Sequence, residues 1–139
     1  MTHHFFLACF LLFALSIGVL LLMFFSRLKD MRAGVTNPKY FKTYDLETQV
    51  PSHTRQMVRN YANLFETPVL FYAIIGLILS MGLEHTHLVV LAYAYPLTRC
   101  VHSLVHLTSN KLYPRMITFW TSIAVLSCLW LRALVLVMA

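Results

Sequence analysis

The sequence predicts an all-α integral membrane protein built as a bundle of four transmembrane helices. Three observations carry that prediction. Of 139 residues, 59% are hydrophobic and only 12% charged, against about 25% charged in soluble domains. Four separate apolar segments each approach the length, about 20 residues, that crosses a bilayer core. The connections after the second and third segments are short, which favours antiparallel neighbours in a compact bundle. One domain over residues 1–139 accounts for the chain, since no internal repeat or low-complexity stretch divides it.

The first span, about 5–25, is the unbroken apolar run Phe5–Phe25, with Ser16 its most polar member. No Lys or Arg precedes it and no Ala-x-Ala pattern follows, so it reads as a retained helix and not a cleaved signal. The polar stretch Ser26–Gln56 comes next, with turn signals at Asn37-Pro38 and Val50-Pro51. The other spans are expected at about 57–81, 87–107 and 116–137. Pro68 and Pro96 fall inside the second and third spans. Each frees the carbonyl four residues back, at Leu64 and Ala92, and favours a bend.

Basic residues give the orientation. Arg27, Lys29, Arg32, Lys39, Lys42, Arg55 and Arg59 lie in or beside the first connection. Lys111 and Arg115 flank the third, and the second has no Lys or Arg. The positive-inside rule then puts the first and third connections in the cytoplasm and both termini outside. The net charge of +6 is thus a topology signal, and nucleic-acid binding is not expected. Cys9, Cys100 and Cys128 form neither a disulfide framework nor a Cys-x-x-Cys pair, and are expected to be small buried hydrophobes. The seven histidines show no metal-ligand spacing, so no metal site is expected.

Two polar stripes cross this apolar background. In the second span Arg59, Asn63 and Glu66 are spaced i, i+4, i+7 and share one helix face. In the third, Arg99, His102 and His106 are spaced i, i+3, i+7. An intramembrane charge costs roughly 2.5–3.5 kcal/mol on insertion scales, so these groups need partners. At 1.5 Å per residue, Glu66 lies on the order of 10–13 Å and Arg99 roughly 12 Å from the inner boundary. The stripes therefore match in depth, and Glu66–Arg99 is the expected ion pair.

A single such pair would read as glue between helices. Six polar groups, with Lys111 and Arg115 at the same end, exceed what glue requires. Buried charge networks are often no more stabilising than apolar packing, so the set reads as a pocket. Several cations with one acid suit a small ligand carrying two carboxylates and one amine. Glutathione is such a molecule, although charge alone does not separate it from other anionic peptides, nucleotides or lipid headgroups.

These residues resemble the family of membrane-associated proteins in eicosanoid and glutathione metabolism (MAPEG). The resemblance covers the four-helix layout and is sharpest at Arg59-x-x-x-Asn63-x-x-Glu66 with Pro68 following, and at Arg99-x-x-His102 with Arg115 beyond. Asn37-Pro38 is similar to an Asn-Pro in the transferases' first cytoplasmic loop. The small size and short loops look like a bacterial branch, which implies a bacterial inner membrane.

The resemblance implies a homotrimer of left-handed four-helix bundles. It implies glutathione as co-substrate, bound by Arg59, Asn63, Glu66, Arg99 and His102, with a lipophilic substrate or lipid approaching from the bilayer. Glu66 would take the glutamyl amine and the arginines the carboxylates. Lys111 or Arg115 would favour the thiolate, the nucleophilic form. Two positions depart from the pattern: His106 stands where several of the enzymes carry tyrosine, and Ala62 where some carry a second arginine. His106 can still donate an N–H to a thiolate. The expected function is therefore a glutathione transferase or peroxidase acting on lipophilic electrophiles. A non-catalytic lipid-binding or scaffold protein of the same fold is the alternative that the two departures favour. A proton relay through Glu66, His102 and His106 is a third class, against which stands the lack of an inverted repeat.

Overall fold

A computed structural model of the chain describes residues 1–37, 39 and 50–139. Among them are four helices: α1 (Thr2–Arg32), α2 (Ser52–Ser80), α3 (Thr86–Leu107) and α4 (Leu112–Met138). All four are long and apolar enough to cross a membrane. Pro38, the second residue of the Asn-Pro turn signal, and Lys42 lie outside the described residues.

Helix ends follow local chemistry more than the apolar runs do. α1 continues past the apolar run to Arg32, and Lys29 and Arg32 in its last turn suit the negative end of the helix dipole. It stops where Gly34 takes φ +67. There the Val35 N–H reaches the Asp30 carbonyl at 3.0 Å and the Gly34 N–H reaches that of Met31 at 3.1 Å, a Schellman cap. α2 ends the same way, with Gly82 at φ +68 and the Leu83 N–H on the Ile78 carbonyl at 2.9 Å. α2 begins at Ser52 and not near 57, because Pro51 is its N-cap and no turn separates them. α4 begins at Leu112 and not near 116, with Pro114 in a first turn whose N–H groups lack helical partners anyway.

Buried positions recur in steps of three and four. On α1 they are Phe5, Ala8, Leu12, Ser16, Val19 and Met23, and on α3 Leu88, Ala92, Tyr95, Arg99, His102 and His106. α4 repeats the step with Ser122, Leu126, Leu129 and Ala133. Steps averaging close to 3.6 keep each buried seam on one face of its helix, turned toward its neighbours. α2 and α3 each touch the other three helices, while α1 and α4 flank them and do not meet. The α3–α4 pairing is the most extensive and the α2–α4 pairing the slightest.

The bundle divides into two halves. At the end holding both termini, Phe5, Leu12, Phe71, Ile78, Leu88 and Leu129 form one apolar core. Tyr95 stacks on Phe71 with ring centroids 4.7 Å apart, and its hydroxyl donates to Thr67 Oγ1 at 3.1 Å. Beyond that level the seam turns polar, with Asn60, Arg99, His102, Ser103 and His106 all buried. In the connection between α2 and α3 the Thr2 hydroxyl donates to Glu84, and the Met1 ammonium lies 3.1 Å from its other oxygen. Both contacts, the Thr2 hydrogen bond foremost, hold the Glu84 carboxyl below its ordinary range.

The cysteines differ from the expectation. Cys9 is half-buried, but Cys100 and Cys128 are exposed on the outer faces of α3 and α4. Both sit off the three–four seam, where an apolar residue is tolerated because the surroundings are lipid and not water.

Candidate functional site

The polar half of α2 carries two faces. Its seam residue Asn60 is fully buried and accepts from the Ser103 hydroxyl at 3.3 Å. Arg59, Asn63 and Glu66 are turned toward α4, where the slight α2–α4 contact leaves room. α3 contributes His102 and His106, and the first turn of α4 contributes Arg115. These six side chains, with Ala62, Met116, Phe119 and Trp120, line a cavity of about 380 Å³. Small-molecule sites fall at roughly 300–1,000 Å³. One wall is charged and comes from α2. The facing wall, Met116, Phe119 and Trp120, is apolar.

Local contacts hold these groups in place. Arg115 Nη1 donates to Asn110 Oδ1 at 2.8 Å. Asn110 takes φ 46 in the α3–α4 connection, and its N–H reaches the Val105 carbonyl at 2.9 Å. Asparagine tolerates this left-handed conformation better than most residues, so the turn aims the amide at the arginine. Gln56 Nε2 donates to the His106 carbonyl, one of the last-turn carbonyls without a helical partner.

His102 has a definable proton. The Thr118 hydroxyl donates to the Pro114 carbonyl at 2.9 Å, which leaves its oxygen to accept from His102 Nδ1 at 3.2 Å. In the neutral ring the Nε2 lone pair is then free. That Nε2 and His106 Nδ1 are both buried without a hydrogen-bond partner among the described residues.

Arg99 behaves differently from its expectation. Its guanidinium is fully buried, donates through Nη2 to the Asn63 carbonyl at 2.8 Å, and sits 5.9 Å from the Phe119 ring centre. It forms no ion pair among the described residues, so the expected Glu66–Arg99 bridge is absent. Arg99 is on the seam and points between helices, whereas Glu66 is exposed toward the cavity. The carbonyl of Asn63, with its second lone pair, is what the guanidinium can reach from there. Arg99 Nε and Nη1 and Asn60 Nδ2 have no partner among the described residues. Lys111 departs too: it is the exposed N-cap residue of α4 and lines no described cavity.

Other contributors were not singled out in the sequence. Asn60 carries a signal, being a polar residue on the seam that continues through Leu64, Phe71 and Ile78. Asp30 carries another, as an acid in a helix's last turn, where the dipole disfavours it. It is buried, accepts from Thr54 Oγ1, and lies 3.2 Å from His53 Nε2, which ties α1 to the start of α2. Met116, Phe119 and Trp120 gave no signal, because apolar residues on a membrane helix are ordinary.

The family whose sequence profile matches the chain is the MAPEG family, over residues 5–135. This chain belongs to the MAPEG family. Membership makes it a membrane protein of eicosanoid and glutathione metabolism. Comparison with curated proteins and with solved structures gives no match.

A second, apolar cleft of about 460 Å³ lies between α1 and α2 of this MAPEG protein. Phe6, Phe10, Phe13, Tyr61, Phe65 and Pro68 are among its walls. Tyr61 and Phe65 fall on a different face of α2 from Arg59, Asn63 and Glu66, so the charged cavity and the apolar cleft are separate.

Proposed function

We propose that the charged cavity binds glutathione and that the protein is a glutathione transferase or peroxidase acting on lipophilic electrophiles. The supporting observation is that both charge types line one cavity. Arg59 and Arg115 offer cations, Glu66 is the only acid among the described residues that line it, and Asn63, His102 and His106 are hydrogen-bonding groups. Two carboxylates and one amine satisfy that set.

Glutathione supplies the nucleophilic sulfur. Arg115, held by Asn110, stabilises negative charge on that atom, since a nearby cation favours the thiolate. His102 Nε2, whose ring is oriented by Thr118, can accept the thiol's hydrogen bond while the proton itself leaves to solvent. His106 stands beside it, with ring centroids 5.8 Å apart. The apolar wall of Met116, Phe119 and Trp120 receives the electrophile and keeps water from the reacting atoms. Arg99 holds the Asn63 carbonyl and so positions α2 without touching the ligand. Lys111 has no part in the site.

By the positive-inside rule the cavity end faces the cytoplasm, and three copies assemble as the family resemblance implies. Cross-linking in detergent counts the subunits. The function itself is tested by adding glutathione to purified protein and following thiolate absorbance and proton release. Saturable thiolate formation supports the reading, and a protein that neither binds glutathione nor releases protons removes it.

The apolar cleft favours a second reading, a lipid-binding or scaffold role without turnover. Lipid that co-purifies, together with glutathione-independent behaviour and no conjugation of model electrophiles, would select it.

A further inference from the structure

Arg132 is a charge on a face that the bundle turns to lipid. It is exposed beside the exposed apolar residues Leu131, Leu134 and Val135. It lies about 9 Å short of the end of α4, at 1.5 Å per residue. An arginine at that depth extends its side chain to the bilayer interface, where it needs a counter-charge. No ion pair reaches it among the described residues. Glu84, the one acid at this end among them, is already held by Thr2 and the Met1 ammonium. The undescribed residues all fall in sequence between α1 and α2, whose connection joins the opposite ends of these helices. His87, at the start of α3, lies within electrostatic reach of Arg132, and its ring stacks on His85 with centroids 5.4 Å apart.

A groove leads away from this corner between α3 and α4. On α4, Thr121, Val125, Cys128 and Arg132 follow at i, i+4, i+7 and i+11 and share one face. On α3, Leu97, Ala94, Val90 and His87 make the matching line in the opposite direction. Both lines end at a cavity of about 190 Å³, lined by Leu97, Thr98, Val101, Thr118 and Thr121. Its wall is almost wholly apolar, and the three threonine hydroxyls each donate to a carbonyl of their own helix. Thr121 lies about 16 Å from Arg132 along α4, close to the ~15 Å that one leaflet contributes to the hydrocarbon core. A cation thus heads an apolar groove one leaflet deep.

We propose that this α3–α4 groove binds a phospholipid with a net negative headgroup, drawn from the leaflet at the end that holds both termini. Arg132 takes the headgroup phosphate through charge-assisted hydrogen bonds. One acyl chain runs past Val90 and Cys128 and ends in the cavity at Thr121. A zwitterionic headgroup is the poorer ligand, because its ammonium meets Arg132 and finds no free carboxylate. Glutathione plays no part in this site, whose cavity shares no residue with the charged cavity or the α1–α2 cleft. Thr118 nevertheless stands between the two chemistries, since it lines the lipid cavity while its oxygen accepts from His102 Nδ1.

The test is native mass spectrometry of the purified protein, titrated in detergent with phosphatidylglycerol and with phosphatidylcholine of the same chains. The wild type should bind phosphatidylglycerol about fivefold more tightly, the effect of one interfacial arginine on an anionic lipid. Arg132→Gln should lower that preference below about twofold. Arg32→Gln, which removes an exposed cation at the other end of the bundle, should leave it unchanged. Thr121→Phe fills the cavity and should weaken both lipids about threefold with the preference kept, since in an apolar surround the chain is held by packing. Equal affinity for the two lipids in the wild type overturns the phosphate site. So does a preference that survives Arg132→Gln or is lost equally in Arg32→Gln. Lipid binding untouched by Thr121→Phe overturns the groove. Substitutions that change the number of subunits and leave bound lipid unaltered make the groove an interface between copies of the chain, which overturns the lipid site. Arg132 and Thr121 are exposed, and the preference is a ratio within one variant, so a modest loss of stability does not imitate these results.

Discussion

Along α3, one spacing serves two chemistries. Leu88, Ala92 and Tyr95 continue without a break in step into Arg99, His102 and His106, and all six are buried. The first three join the apolar core, where the seam only has to pack. The second three include Arg99 Nε and Nη1, His102 Nε2 and His106 Nδ1, polar atoms without partners among the described residues. Buried polar groups left unpaired cost about 1–3 kcal/mol each. A seam that gathers these four atoms in one half of α3, while its other half is apolar, has separated the part that holds the bundle together from the part that binds.

Breaking the apolar half should give the largest effect on stability. Phe71 is fully buried against Tyr95, so Phe71→Ala should lower unfolding stability by about 3–5 kcal/mol. Denaturation in detergent measures this, and the protein that remains folded should bind glutathione as before. A loss of affinity with little loss of stability would show that the halves are not separate.

The converse variant acts in the polar half. Arg115→Ala should reduce thiolate formation and conjugation on the order of a hundredfold, about 2.7 kcal/mol. The melting temperature should hardly move, because Arg115 is half-buried and its side chain, among the described residues, is bonded only to Asn110. Unaltered thiolate absorbance in this variant would remove Arg115 from the mechanism.

Arg99 sharpens the contrast, since it is the polar group most fully inside the seam. Arg99→Met extends the apolar seam by one step. Removing a buried charge that has no ion pair among the described residues should raise stability by roughly 1–2 kcal/mol, toward the low end for such replacements. Glutathione affinity should fall because the Asn63 carbonyl loses its donor. A variant that is less stable would mean that the guanidinium contributes to packing more than its desolvation costs.

The legibility of the sequence differs between the halves in a similar way. Four apolar segments can be read directly, because length and hydropathy alone identify a span. The stripes Arg59–Asn63–Glu66 and Arg99–His102–His106 are also legible, since charges in a membrane helix stand out. Their pairing is not. Helical periodicity puts Arg99 and Glu66 at one depth but leaves the rotation of α3 about its axis unspecified. That rotation sends Arg99 to a backbone carbonyl. The third connection hides Arg115 in a similar way: whether a cation beside a turn enters a cavity depends on Asn110 adopting φ 46, and Lys111, four positions earlier, faces out. The apolar wall is silent because Met116, Phe119 and Trp120 are what any membrane helix carries.

The smallest effect should come from the level where the halves meet. Tyr95 belongs to the apolar core through its ring and to the polar half through a single hydroxyl, which donates to Thr67 Oγ1 at 3.1 Å. Tyr95→Phe removes that bond and nothing of the stacking on Phe71. Thr67 retains its hydroxyl and can turn to a carbonyl of its own helix, so no buried group is stranded. The expected cost is about 0.5–1.5 kcal/mol, read as a small fall in melting temperature, with glutathione affinity changed less than twofold. Affinity that drops tenfold would mean that the Tyr95–Thr67 contact fixes the α2–α3 register for the site below. The boundary would then be the element that couples the two halves.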